Sequence, residues 1–475
     1  MAERTLEDIQ QETEGLLWPL SPIPSFDEVY AGSPEAEVEW SRFLEDHLHW
    51  RDEDSKYDAL SRLRVLDCGI NNMATHWFSS MFAEMGADTI MVEPIGGDPS
   101  RRYVPFGRRR HYFFDSETGE PCGPQFLHEC RNKLSVTLNL ETEEGREILR
   151  RLARQADVLV ENYPPGQFDE WGIGYRQLSK INPRLVYVWL GQRGQWGPAK
   201  DRPGELEPTG QCASGFTHGT GAPEAFGGRP TRSGLWFLDH VCATGAVHSA
   251  LAALIYRDQT SGEGQFIENT AANGNIRIID YNWLWYGFDG SIRPRYGNWD
   301  LAINIYAVNP VSDGFLMVGG GHDRLWYRIW KTVAKDRPDL EQLIVEDPGL
   351  RLVTDRLGHY MQVKTYTALS EWGKDKSRQE AEDALLEEEV ASGGVLFIDE
   401  VAEYSHFKYR GHLMANETQH YGQVLFGTPP NQMAKTPARV KMMGRPAGYD
   451  NEDVYKRLVG LTAEELRNLK AANII

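Results

Sequence analysis

Short apolar runs alternate with amphipathic stretches from Arg64 to Leu190. Val65-Leu66-Asp67 reads as a strand, and Ala74 to Met85 follows with Phe78, Met81, Phe82 and Met85 at helical spacing. Thr89 to Glu93 forms the next strand directly after the Gly86-Ala87-Asp88 turn, which completes a βαβ unit. The pattern repeats: Leu134 to Leu140 as a strand, Glu143 to Gln155 as a helix with Ile148, Leu149 and Leu152 inward, then Val158 to Val160 as a strand. A helix at Tyr175 to Ile181 leads into Leu185 to Leu190, nearly all apolar, as a strand covered on both faces should be. The fold class is therefore α/β, with an open parallel Rossmann-like sheet in a large domain.

A Gly/Pro-rich stretch from Gly191 to Gly234 precedes Leu235 to Asp239, read as a strand, and His240 to Arg257, read as a long helix. Beyond Ile276 the texture changes to aromatic runs (Tyr281 to Tyr286), a hairpin-like Gly314 to Val318, and an acidic helix around Glu380 to Val390. These predict a smaller α+β domain. Boundaries are placed at 1–61 for an irregular, proline-punctuated N-terminal extension, 62–275 for the large domain and 276–400 for the small one. Residues 401–475 return to the large domain, with Thr462 placed to cap a helix over Ala463 to Ala471.

A chain of 475 residues with 41% hydrophobic side chains is too long for one simple core. Its 50 Lys+Arg against 69 Asp+Glu give a net charge of -19, which argues against a nucleic-acid or anionic-membrane binder. The five cysteines form no Cys-x-x-Cys pair, so a disulfide framework or zinc knuckle is not expected, and a reducing, cytoplasmic compartment is. Met1 to Leu20 lacks the basic and apolar regions of a secretory signal. The apolar stretch from Ala243 to Tyr256 is broken by Thr244, His248 and Ser249, so no membrane span is expected. The loop after the first strand, Asp67 to Met73, is no Gly-x-Gly-x-x-Gly fingerprint, and Walker A, His-Glu-x-x-His and Gly-x-Ser-x-Gly motifs are absent from the sequence. Gly319-Gly320-Gly321-His322 reads as a strand-end turn.

One ordered series of motifs carries more information. It runs through Val65-Leu66-Asp67, Gly86-Ala87-Asp88, Val92-Glu93-Pro94, Gly96-Gly97-Asp98, Arg131 to Val136 and Ala156 to Gly166. It continues with Ile181 to Tyr187, Asp201 to Gly204 and Thr260 to Gln265. In this order the pieces resemble the class III (CaiB/BaiF-type, formyl-CoA transferase-like) CoA-transferases over most of the chain after residue 64. The resemblance implies a nucleophilic aspartate just before a long helix rich in Ala and Leu. Leu238-Asp239-His240 stands there, so Asp239 is the candidate catalytic residue. Without the resemblance, an Asp at a strand-to-helix junction is ordinarily an N-cap.

The implied activity moves CoA from an acyl-CoA donor, such as succinyl-CoA, to an organic acid through an aspartyl-CoA thioester. A helix N-terminus beside Asp239 is expected to keep it ionised. The CoA thioester is a substrate; no bound cofactor and no metal is implied. Asn72, Met73, Ala74, Asn162 and Tyr163 match CoA-contacting stretches of the family. Glu141 and Glu170 replace basic positions there, and two such reversals weaken a polyanion site. Arg101, Arg102, Arg108, Arg109 and Arg110 are the candidate replacement, since guanidinium forks suit phosphate, although they also read as a solvated loop. The related racemases use a His-Asp pair where this chain has Glu205-Leu206-Glu207, and Glu207 reads as a surface acid. Fourteen Trp point weakly to an aromatic or bulky acceptor acid, a dicarboxylic one being the other class. Family members form interlocked dimers, which implies a homodimer or a heteromer with a paralogous subunit. The competing readings are a non-catalytic subunit of such a heteromer and an acyl-CoA racemase or isomerase.

Overall fold

The computed structural model describes residues 38–48, 56–202, 207–300 and 302–475. Among them Arg64–Asp67 (β1), Asp88–Glu93 (β2), Leu134–Thr137 (β3), Val158–Glu161 (β4), Val186–Gly191 (β5) and Phe266–Thr270 (β6) build one sheet. Every neighbouring pair is parallel, in the order β3-β2-β1-β4-β5-β6. This is the doubly wound order, whose direction of growth reverses between β1 and β4; ligands bind at the carboxyl ends of the strands beside that reversal.

Strand periodicity explains the two covered faces. Leu66, Ile90, Val136 and Leu159 point to one side and meet helix Glu143–Ala153 together with Val454, Tyr455, Leu458 and Ile475 near the chain end. Val65, Val158, Val160 and Val188 point to the other and meet helices Met73–Glu84 (α1) and Phe237–Tyr256, through Phe78, Phe82, Leu238, Cys242 and Ala246. The second of these helices is long and apolar enough to cross a membrane by length and composition, yet half of it is buried in this core.

Beyond the sheet, Tyr306–Val311 (β7) and Gly314–Gly319 (β8) form the expected hairpin, and Ala391–Gly394 (β9) pairs with the other edge of β8. Trp326, Trp330, Leu316, Val318 and Trp372 fill a core of their own with the surrounding helices. A second hairpin, Leu413–Thr418 (β10) with Gly422–Gly427 (β11), packs Val424 and Phe426 against Met91, Phe126 and Leu127. Thr462 caps the helix Ala463–Ala471 in a capping box with Glu465.

The chain divides into two compact units, Met1–Tyr57 with Asn431–Pro437 and Asp58–Pro430 with Ala438–Ile475. Most of the segment read as an irregular extension lies outside the described residues. Within it Trp40–Leu48 is a helix, with Phe43 stacked on Trp40 and on His47. Two strand readings are corrected. Leu134–Leu140 stops at Thr137, because the Asn139 amide turns away to the carbonyl of Ile474. Leu235–Asp239 is no strand: the helix starts at Phe237, since a short apolar run does not separate a strand from a buried helical turn.

Candidate active site

Three elements converge on Asp239. It occupies the first turn of Phe237–Tyr256 and is 3% exposed. Gln192, the first residue after the apolar strand β5, donates its amide to Asp239 Oδ1 at 3.2 Å. Helix Glu207–Ala213 (α2) runs past both, and its Gly210 makes room: a Cβ there would lie 2.1 Å from Gln192 Oε1. The long helix, now α3, has no side-chain cap from Trp236. Glu207 supplies one from α2 instead, its Oε1 accepting the Leu238 amide at 3.0 Å and the Gln211 side chain at 2.7 Å.

Glu207 is therefore not the surface acid its sequence context suggests. It is 4% exposed, and its charge faces Asp239. Burial and then Glu207 raise the Asp239 pKa to about 7, against the opposing pull of Gln192 and the His76 charge. The expectation that the helix N-terminus keeps this carboxyl fully ionised is thereby reversed, because desolvation and a like charge outweigh the favourable dipole. The acid and its carboxylate coexist near neutrality.

The neighbouring ends of β1 and β4 carry the other candidates. Asn72 caps α1 through the Thr75 amide, and Met73 and Ala74 are buried in that first turn. Asn162 clasps the same loop: its Oδ1 accepts the Ile70 amide at 2.7 Å and its Nδ2 donates to the Ile70 carbonyl at 3.1 Å. Tyr163 packs against Phe168, tilted at 4.7 Å, and edge-on against Trp171 at 5.5 Å between ring centroids. Gly69 lets this loop close over α1, since a Cβ there would meet Thr75 Oγ1 at 1.9 Å.

The arginine cluster separates. Arg101 is withdrawn from the phosphate candidates: it is buried, its Nε and Nη2 each lie 2.6 Å from the Glu93 carboxylate, and its guanidinium covers the Phe126 ring. A buried guanidinium needs such a partner, which leaves no fork for a ligand. Arg102 lines a cavity of about 470 Å³ with Tyr103, Tyr112, Gln125 and Trp236, three residues ahead of Asp239. Arg108 and Arg109 are exposed and lie over Phe106 and Phe114, and Arg110 bonds to His111. Glu141 is exposed in the turn after β3, and Glu170 is exposed at the end of the short helix Gln167–Glu170.

Sequence reasoning missed Gln192 and the set around His76. The signal for Gln192 was a single polar residue closing an all-apolar strand. Among the described residues no cluster of His, Cys, Asp and Glu could hold a metal ion.

A doubly wound sheet with a buried carboxylate beyond the carboxyl end of β5 suits an α/β enzyme equipped for covalent group transfer. The sequence matches CoA-transferase family III over residues 60–451, so the chain belongs to that family and is a class III CoA-transferase. It is 29% identical over 420 residues to succinyl-CoA–D-citramalate CoA-transferase of Chloroflexus aurantiacus, covering 88% of this chain and 98% of that one. It is 30% identical over 420 residues to the alpha subunit of succinyl-CoA–L-malate CoA-transferase from the same organism, covering 88% and 92%. A CaiB/BaiF family protein from Brucella suis shares the fold at a TM-score of 0.72 with 26% identity, covering 85% of this chain and 100% of that one.

Proposed function

We propose that this enzyme transfers CoA from succinyl-CoA to a dicarboxylic acid, with Asp239 as nucleophile. The observation that carries the reading is a carboxylate, 3% exposed, held by Gln192 at a helix N-terminus beside the carboxyl edge of the sheet. Its oxygen attacks the thioester carbonyl; the C–S bond breaks, and a mixed anhydride and CoA thiolate result. The thiolate attacks the aspartyl carbonyl, releases succinate and leaves an aspartyl-CoA thioester. The acceptor carboxylate attacks that carbonyl and the thiolate leaves again. Attack of the thiolate on the acceptor carbonyl forms the product thioester and restores Asp239. Thioester is exchanged for thioester, so the balance needs no other reactant.

The donor rests on the succinyl-CoA named in both Chloroflexus relatives. The acceptor rests on those names and on the Arg102-Trp236 cavity, where a guanidinium suits the second carboxylate. Asn72, the backbone of Met73 and Ala74, Asn162 and Tyr163 face CoA, with the exposed Arg108 as a cation for its phosphates. We also propose that the chain works in an oligomer. Tyr281, Trp283, Leu284, Tyr286 and Phe288 leave the helix Asp280–Asp289 with an exposed apolar face of the kind that marks interfaces.

The test is to incubate the protein with succinyl-CoA and hydroxylamine, then digest it and read the Asp239 peptide by mass spectrometry. A hydroxamate on Asp239, absent from Asp239→Ala, is the expected result. Transfer that persists in Asp239→Ala overturns the assignment. Arg102→Ala is expected to raise KM for dicarboxylic acceptors about tenfold more than for monocarboxylic ones.

A further inference from the structure

We propose that His76 is a positioning residue for CoA transfer, its ring clamping the loop after β1 to the loop after β2 and setting the field around Asp239. The inference rests on Asp239 as the nucleophile only for its second half.

His76 lies in the second turn of α1 with its ring fully buried. Its Nδ1 faces Asp67 Oδ2 at 3.5 Å, and its Nε2 faces Asp98 Oδ1 at 3.6 Å and Ser100 Oγ at 3.4 Å. A neutral imidazole has one proton and serves one acceptor; only the imidazolium presents N–H to carboxylates on both sides. Each carboxylate in turn holds backbone. Asp67 accepts the Gly69 amide at 3.0 Å in the first loop, and Asp98 accepts the Asn71 amide at 2.8 Å and the Ser100 amide at 2.7 Å. The Asn71–Asp98 bond joins residues 67–72 to residues 98–100 directly, and the ring lies between the two carboxylates that hold these loops, at the ligand-binding edge of the sheet.

Charge balance points the same way. The groups facing the ring are Asp67 from β1, Asp98 and Ser100 from the loop after β2, and Ser79 from its own helix, which bonds Asp67 at 2.6 Å. Lys133, leading into β3, bonds both Asp67 (3.2 Å) and the His76 carbonyl (2.8 Å), and Phe126 closes the side edge-on at 6.2 Å. Two buried carboxylates are matched only when His76 is charged beside Lys133. Burial opposes that charge, yet Asp67 and Asp98 prevail and raise the His76 pKa to about 9. The next residue, Trp77, meets His240 edge-on at 4.6 Å, and the His76 charge reaches Asp239 and favours its carboxylate.

His76→Gln in the full chain removes the charge and keeps a polar side chain of similar reach. Expected are a KM for succinyl-CoA raised about tenfold, with kcat at pH 8.5 within about threefold of wild type. The acidic limb of the pH profile moves to higher pH, and amide hydrogen exchange quickens in both 67–72 and 98–100. Asp98→Asn, which removes the charge facing the ring and keeps an oxygen for only one of the Asn71 and Ser100 amides, quickens exchange in the second loop and shifts KM in the same direction; it decides the matter if His76→Gln does not fold. A folded His76→Gln with wild-type KM, pH profile and exchange overturns the proposal. If wild type transfers no CoA, or Asp239→Ala still does, the function fails, while the exchange measurement still reads the clamp.

Discussion

Burial and the Glu207 carboxylate hold the Asp239 proton until about pH 7, so the fraction able to attack a thioester grows as pH rises through 7. The kcat/KM for succinyl-CoA is expected to fall tenfold per pH unit below that point. Glu207→Gln keeps the oxygen that accepts the Leu238 amide and removes the like charge, so its acidic limb moves down by about one pH unit. An unmoved limb would mean that burial alone sets the Asp239 pKa. Asp239→Ala is expected to lower kcat by about four orders of magnitude or more in a transfer assay. At this scale the place of Asp239 at the start of a long helix was legible, because an acid before an Ala/Leu-rich run sits within an ordered series of motifs. Glu207 was visible but misread, since its burial comes from α2 lying across α3, which no local pattern announces. Arg101 was misread for the same reason: the partner that neutralises it, Glu93, lies eight residues back on another element.

Loops at strand ends are held by side chains that reach across from their neighbours. Asn162→Ala deletes both bonds to Ile70 and is expected to cost about 1–2 kcal/mol in chemical denaturation and to raise KM for acyl-CoA. Glu161, closing β4, is buried and accepts the Tyr163 amide at 2.6 Å and the Tyr187 hydroxyl at 2.9 Å. Burial raises its pKa from 4.5 to about 8. The folded chain then holds this proton more tightly than the unfolded one, so its contribution is complete below pH 4.5 and is lost as pH rises to 8. Glu161→Gln mimics the neutral acid: Tm is expected to match wild type at pH 5 and exceed it by on the order of 2–4 °C at pH 9. The strands and helices of the sheet were readable because periods of two and 3.6 are properties of consecutive residues. The start of α3 was not, since four apolar residues, Leu235 to Leu238, satisfy either period.

Across the whole molecule, strand order brings residues far apart in sequence to one edge: Asp67, Glu93, Glu161 and Gln192 each close or follow a different strand. The exposed aromatic face of Asp280–Asp289 belongs to this scale too. Sedimentation at twice the chain mass or more is expected, and Leu284→Asp with Phe288→Asp should shift the protein toward monomer; an unchanged profile would remove this face from the interface. By itself the sequence determined the α/β alternation and the family, because these rest on local periods and on motif order. Only the tertiary structure decided which charges are paired, which carboxyls are desolvated and which arginine remains free. Pairing and desolvation depend on what lies across a strand or helix boundary, and burial at those contacts changes the energy of a charge far more than its neighbours in sequence do.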